Sequence, residues 1–204
     1  MGSMMISSKT VARWLTRYAQ LVADNEAHLT ELDSPIGDAD HGANMKRGMQ
    51  AALPALESET MGGQLKGVAM AMLSKVGGTS GPLYGTFFLK AATALGDATE
   101  VEPQRFASAL RSGLDGLIAR GKTELDDKTM VDALAPALDA LEAETDWSAA
   151  TRAAAKAAAA GRDHTIGLLA RKGRASYLGE RSVGHMDPGA ASATLLFDAL
   201  IEEE

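Results

Sequence analysis

The stretch Val11-Ala12-Arg13-Trp14-Leu15-Thr16-Arg17-Tyr18-Ala19-Gln20-Leu21-Val22 decides the fold class. Its apolar members Val11, Trp14, Leu15, Tyr18, Leu21 and Val22 recur at spacings of three and four, which is one face of an α-helix. The pattern predicts a first helix over residues 8–28 and repeats down the chain. Further helices are expected at 42–56, where Pro54 bends or ends the helix, at 63–75, and at 82–95 with Pro82 in the first turn. Four more follow at 103–120, 129–141, 147–170 and 189–200. Composition agrees: 38 Ala and 21 Gly stand against 12 Val plus Ile and 4% aromatic residues. Alanine favours helices, whereas strands draw on β-branched and aromatic side chains. The expectation is an all-α domain of eight helices in an up-and-down antiparallel barrel or bundle.

The 204 residues suit one domain over 1–204, large enough to bury a core without disulfides. Residues 1–4 read as an expression-vector remnant. The absence of cysteine excludes disulfide scaffolds, zinc ribbons and thiol nucleophiles, and it fits a cytoplasmic setting. No uninterrupted apolar run approaches the length of a membrane span, so no membrane partner is expected. The net charge of −7 argues against a nucleic-acid surface. It leaves room for a polyphosphate whose charge metal ions offset.

The connections fall into two kinds. Those at 57–62, 96–102 and 142–146 are bland. Those at 32–44, 77–81, 121–129 and 171–189 hold nearly every unusual cluster. Alternate connections of an up-and-down array emerge at one end, so the four rich loops are expected to meet there and form a site.

The first rich loop places Asp33, Asp38 and Asp40 among Pro and Gly turns. Like charges so close raise a pKa or demand a cation, and oxygen-only ligands suit Mg²⁺ or Ca²⁺. The spacing departs from an EF-hand, and it also suits a solvated turn with helix-capping aspartates. His41 and Asn44 follow at a helix start, where free N–H groups favour an anion; a capping or surface histidine fits as well. The loop 77–81, Gly-Gly-Thr-Ser-Gly, lets backbone approach a ligand and offers the hydroxyls of Thr79 and Ser80. It lacks a Walker A ending and equally suits a plain turn. The last loop gathers Arg171, Lys172, Arg174 and Arg181 before Asp187-Pro188-Gly189. That reads as the basic counterpart of the aspartates, or as a solvated basic loop. His28 and His164 are assigned nothing.

Four strings taken together are similar to the L-subunit family of dihydroxyacetone kinases: IGDADHGANM (36–45), VGGTSGPLYGTFF (76–88), DKTMVDALAP (127–136) and RKGRASYLGERSVGHMDPGA (171–190). They occur in family order and cover most of the chain from Trp14 onward. The resemblance implies an eight-helix barrel with a nucleotide at one end. By the same resemblance Asp33, Asp38 and Asp40 match the holders of two Mg²⁺ ions, as metal ligands and, with His41, as the catalytic set. His41, Gly42, Ala43, Asn44, Thr79 and Ser80 match contacts to phosphates or metal-bound water. Gly121, Met130, Arg174, Asp187, Pro188 and Gly189 match nucleotide-binding positions. Two departures are visible: Asp126 stands where the family pattern expects Gly, and Thr79 replaces a common Ala.

What the resemblance implies is phosphoryl transfer. ADP or ATP would be the cofactor, and the ketose would sit on a separate dihydroxyacetone-binding K subunit, attached to a histidine there. A phosphohistidine-carrying partner of the phosphotransferase system would rephosphorylate the ADP in place, and a transcription regulator is a further partner. Two rival readings are an ATP-consuming ketose kinase subunit with exchangeable nucleotide and a non-catalytic Mg-ADP-sensing regulator.

Overall fold

The computed structural model describes residues 4–201, so residues 1–3 of the expected vector remnant lie outside the described residues. Among the described residues there are nine α-helices: α1 (Ser8–Asp24), α2 (Glu26–Asp33), α3 (His41–Ala52), α4 (Met61–Lys75), α5 (Ser80–Leu95), α6 (Pro103–Gly121), α7 (Val131–Ala143), α8 (Trp147–His164) and α9 (Pro188–Asp198). Short 3₁₀ segments occupy Leu53–Glu57, Thr165–Gly167 and Arg174–Ser182. No described helix is long and apolar enough to cross a membrane.

The nine helices make eight rods, because the expected first helix is α1 and α2 interrupted at Asn25. There the backbone leaves the helical region (φ −99°, ψ 10°), and both the backbone N–H and the side-chain Nδ2 of Asn25 donate to the Leu21 carbonyl. The Asn25 side chain thus bonds its own preceding turn, a local choice that competes with regular helix. Apolar periodicity nevertheless runs on through Leu29, which is buried, so the break leaves no trace in the pattern. Consecutive helices from α2 to α9 pack side by side, and α9 returns against α1 to close the ring. One small element was not foreshadowed: Ile6–Ser7 pairs antiparallel with Glu100–Val101 and ties the N-terminal segment to the α5–α6 connection.

Inside the ring, Phe106 is met edge-on by Trp14 at 5.5 Å and by Trp147 at 5.9 Å between ring centroids. The Trp14 indole donates to the Leu196 carbonyl at 2.8 Å, satisfying its one polar group. Small residues set the helix spacing elsewhere. Pro136, inside α7, removes the donor that would serve the Asp132 carbonyl four residues earlier. Helix α8 approaches that carbonyl at Gly161, where a Cβ would sit 1.9 Å from the Asp132 oxygen. No side chain fits this crossing.

The expected helix over 147–170 ends at His164 instead. The carbonyls of Thr165 and Leu168 are taken by the buried Lys128 ammonium, at 2.6 and 3.1 Å, so the chain leaves helical geometry there. Replacing Gly161 by Ala is expected to destabilise the fold by about 1–3 kcal/mol through overpacking. Chemical denaturation would register this as a lower midpoint with an unchanged m-value.

Candidate functional site

The connections 34–40, 76–79, 122–130 and 165–187 all emerge at one end of the ring, as the alternating order requires. There α3, α5, α7 and α9 begin, so four helix N-termini face one pocket. Their leading N–H groups have no partner within the helix, and the helix dipoles favour negative charge beside them. The pocket is lined by Asp33, Asp38, Asp40, His41, Asn44, Thr79, Ser80, Met130, Arg174, Asp187, Pro188 and Gly189 from the expected set. Three expected residues do not line it. Gly42 packs its α-carbon against the Glu26 carbonyl, Ala43 faces solvent, and Gly121 lies behind Leu83 and Thr123.

The aspartates converge. Asp33, Asp38 and Asp40 each offer a carboxylate oxygen within 4.8 Å of the others. Asp33 is the buried member, in the last turn of α2 rather than in the loop, and the backbone N–H groups of Asp40 and His41 donate to its Oδ2 at 3.0 and 3.2 Å. Those bonds fold the loop 34–40 back on itself and leave Oδ1 unengaged by them. Gly37 is required beside it, since a Cβ there would lie 1.9 Å from Asp33 Oδ1. The Asp38 carboxyl is pushed above its ordinary range by desolvation and by Asp40, against the pull of Arg174, whose Nη1 sits 2.8 Å away. Three hard oxygen donors around one point, whose like charges repel, fit a divalent cation of the Mg²⁺ class.

Facing them are groups suited to an anion. Arg47 donates to Asn44 Oδ1 and so turns the amide's donor side free for the pocket. The His41 imidazole is buried, and desolvation pulls its pKa down to about 4 against the opposite pull of Asp33 and Asp40. It is therefore neutral near pH 7. Asp187 caps α9 by accepting from the Ala190 N–H at 2.7 Å. Burial pushes its carboxyl up to about 7, countered by that N–H and assisted by Asp132. An apolar wall of Ile36, Leu83, Met130 and Ala175 completes the pocket and offers a flat aromatic ligand a dry surface.

Sequence reasoning missed Lys128, although it lies in the quoted Asp-Lys-Thr-Met string. It is 1% exposed, and its ammonium donates to the carbonyls of Thr165, Leu168 and His185, using all three of its protons. Lys128 thus fastens 165–187 to the connection before α7, aided by the Arg171 N–H donating to the Asp127 carbonyl. A lone lysine between acidic residues at a helix junction was the available signal. Asp126, flagged as a departure, does not face this pocket. It takes a left-handed backbone (φ 67°), its N–H donates to Asp132 at 2.6 Å, and its carboxylate meets His164 at 2.9 Å over a separate surface depression.

Known proteins resemble this chain. The DAK2 domain family profile matches residues 35–202. The chain belongs to the DAK2 domain family. Within that family, it is 43% identical to the Escherichia coli (strain K12) "PEP-dependent dihydroxyacetone kinase, ADP-binding subunit DhaL", with 97% of each chain covered. It is also 43% identical to the PTS-dependent counterpart of Lactococcus lactis (strain IL1403), over 97% of this chain and 98% of the relative. Among solved structures, the C. freundii dihydroxyacetone kinase in complex with AMP-PNP and Mg²⁺ superposes at a TM-score of 0.77 with 28% identity. That match covers all of this DAK2 chain but only 35% of the C. freundii chain.

The raised Asp187 pKa makes stability pH-dependent in a stated direction. In the unfolded chain its carboxyl ionises near the ordinary ~3.9, while in the fold it stays protonated up to about 7. Stability from this group is complete below pH 4 and is lost as pH climbs to 7. Asp187→Asn keeps the helix cap and removes the charge. Without nucleotide or divalent metal, thermal melts should show variant and wild type alike at pH 4. At pH 8 the variant should melt roughly 8–16 °C higher. An equal difference at both pH values would contradict the assignment.

Proposed function

We propose that this DAK2 chain is the ADP-binding subunit of a phosphotransferase-system-dependent dihydroxyacetone kinase. It holds Mg-ADP or Mg-ATP and passes the γ-phosphoryl group to dihydroxyacetone carried on a separate K subunit. ADP is rephosphorylated in place by a phosphohistidine-carrying partner. The observation that carries this reading is the meeting of three carboxylates with four helix N-termini in one pocket. The match over 97% of each chain to a relative named an ADP-binding subunit supports the division of labour, and this chain spans about a third of the erythrulose kinases it also matches.

Asp33, Asp38 and Asp40 would hold two Mg²⁺ ions, which when bound supply the positive charge that screens the phosphates and aligns the terminal phosphoryl group. The chain's own residues do the rest by positioning. Asp33 is fixed before any ligand arrives by the N–H groups of Asp40 and His41. Asn44 Nδ2 and the backbone N–H groups of Ser80 in α5 and Gly189 in α9 are donors for phosphate oxygens. Arg174, 63% exposed at its side chain, rests on Asp38 and is free to move onto the nucleotide once Asp38 turns to a cation. No covalent intermediate on this chain is required, since orientation and charge placement lower the barrier. The acceptor hydroxyl and the group that takes its proton lie on the K subunit.

Mass analysis of nucleotide released on denaturing the purified protein, followed by phosphate transfer with and without a phosphohistidine donor, tests the reading. ADP should be found in near-stoichiometric amount, and transfer should require the donor. Full turnover on free ATP alone would instead identify an ordinary ATP-consuming kinase subunit. Asp38→Ala should weaken Mg²⁺-dependent ADP binding at least about a hundredfold, the scale expected when a ligand to a phosphate-bridging cation is removed.

A further inference from the structure

Behind the pocket, a chain of hydroxyls runs from the site into the barrel core. Ser80 Oγ lies 3.3 Å from Nδ1 of His41, and His41 Nε2 lies 2.9 Å from Ser192 Oγ in α9. The Tyr84 hydroxyl lies 2.7 Å from the same Ser192 oxygen, which also lies 3.1 Å from the Gly189 carbonyl. Tyr18 donates to the Ser192 carbonyl at 3.2 Å. His41, Ser192, Tyr84 and Tyr18 are all buried, so bulk water does not compete for these contacts.

Counting protons orients the chain. A carbonyl only accepts, so the single Ser192 hydroxyl proton goes to Gly189. The other two contacts then deliver protons to Ser192 Oγ, one from Tyr84 and one from Nε2 of His41, filling its two lone pairs. Nδ1 is left as an acceptor, and among the described residues the hydroxyl beside it is that of Ser80.

We propose that Ser192 is a positioning residue that holds the His41 proton on Nε2, so that Ser80 spends its own proton on Nδ1 and presents only an oxygen acceptor to the pocket. Ser80 then suits a hydrogen of a cation-bound water and cannot donate to a phosphate, a task left to Asn44 and the helix N-termini. What the pocket holds rests on the function proposed above; the proton assignment does not.

Two measurements test this. Nitrogen-15 spectra of the four histidines, with His41 assigned by its loss in His41→Gln, are recorded at pH 7.5 without metal or nucleotide. Wild type should show His41 protonated at Nε2 and bare at Nδ1, and Ser192→Ala should shift the proton population toward Nδ1. A wild-type proton on Nδ1, or an unchanged tautomer in Ser192→Ala, overturns the proposal; the wild-type spectrum decides even where the variant does not fold. In the second measurement, Ser80→Ala should raise the Mg²⁺ concentration giving half-maximal ADP binding about fivefold. The weak metal-free affinity for ADP should stay within about twofold of wild type. A loss of that metal-free affinity would show a direct phosphate contact and overturn the assignment of Ser80. Wild-type protein that binds no ADP at any Mg²⁺ concentration would overturn the proposed function and leave the tautomer result standing.

Discussion

The mutual repulsion of Asp33, Asp38 and Asp40 is the constraint on which the rest of the site depends. Three carboxylates with oxygens within 4.8 Å of one another repel, and the protein answers locally. Asp33 is held by two backbone N–H groups, Asp38 is partnered by Arg174, and the Asp38 carboxyl is nevertheless pushed upward. Like charges set this close gain from a divalent cation. The fold makes the crowding possible, because α2 must end and α3 must begin on either side of a seven-residue loop, 34–40, that Gly37 allows to close.

The same end of the barrel is organised for an anion by a different device. The up-and-down order delivers four helix N-termini to one place, and each connection there is tied to its neighbour. Lys128 binds the 165–187 segment through three carbonyls, and Asp187 caps α9 with a carboxyl that burial pushes up to about 7. Behind these, Ser192, Tyr84 and Tyr18 hold His41 from the core side. Cation-holding and anion-holding halves thus rest on one closed ring of alanine-rich helices, whose small side chains allow the close approach seen at Gly161 and Asp132.

Much of this was legible in the sequence, for physical reasons. Helical periodicity and the Ala excess announced the ring, and loop order alone announced the shared end, because chain alternation leaves little choice. The clustering of Asp33, Asp38 and Asp40 followed from short spacing broken by turn residues. Other features depend on partners distant in the chain. The break at Asn25 is a local backbone choice inside an unbroken apolar pattern. The early end of α8 comes from Lys128, whose charge reaches carbonyls about 40 residues away. Ser192 reads as an ordinary small residue in an Ala-rich helix, and only its contact with His41, 151 residues distant, gives it a role. Gly42, Ala43 and Gly121 sit next to pocket residues in sequence, yet packing turns them away.

The central claim is that this pocket binds a nucleotide through metal, with carboxylates and helix ends acting as complementary halves. Calorimetric titration of nucleotide-free protein with ADP, as Mg²⁺ is raised from none to millimolar, tests it most directly. The account predicts ADP affinity rising at least about a hundredfold across that range, equivalent to roughly 2.7 kcal/mol. Affinity independent of Mg²⁺ would contradict it, because the three aspartates would then face the phosphates with no cation between them.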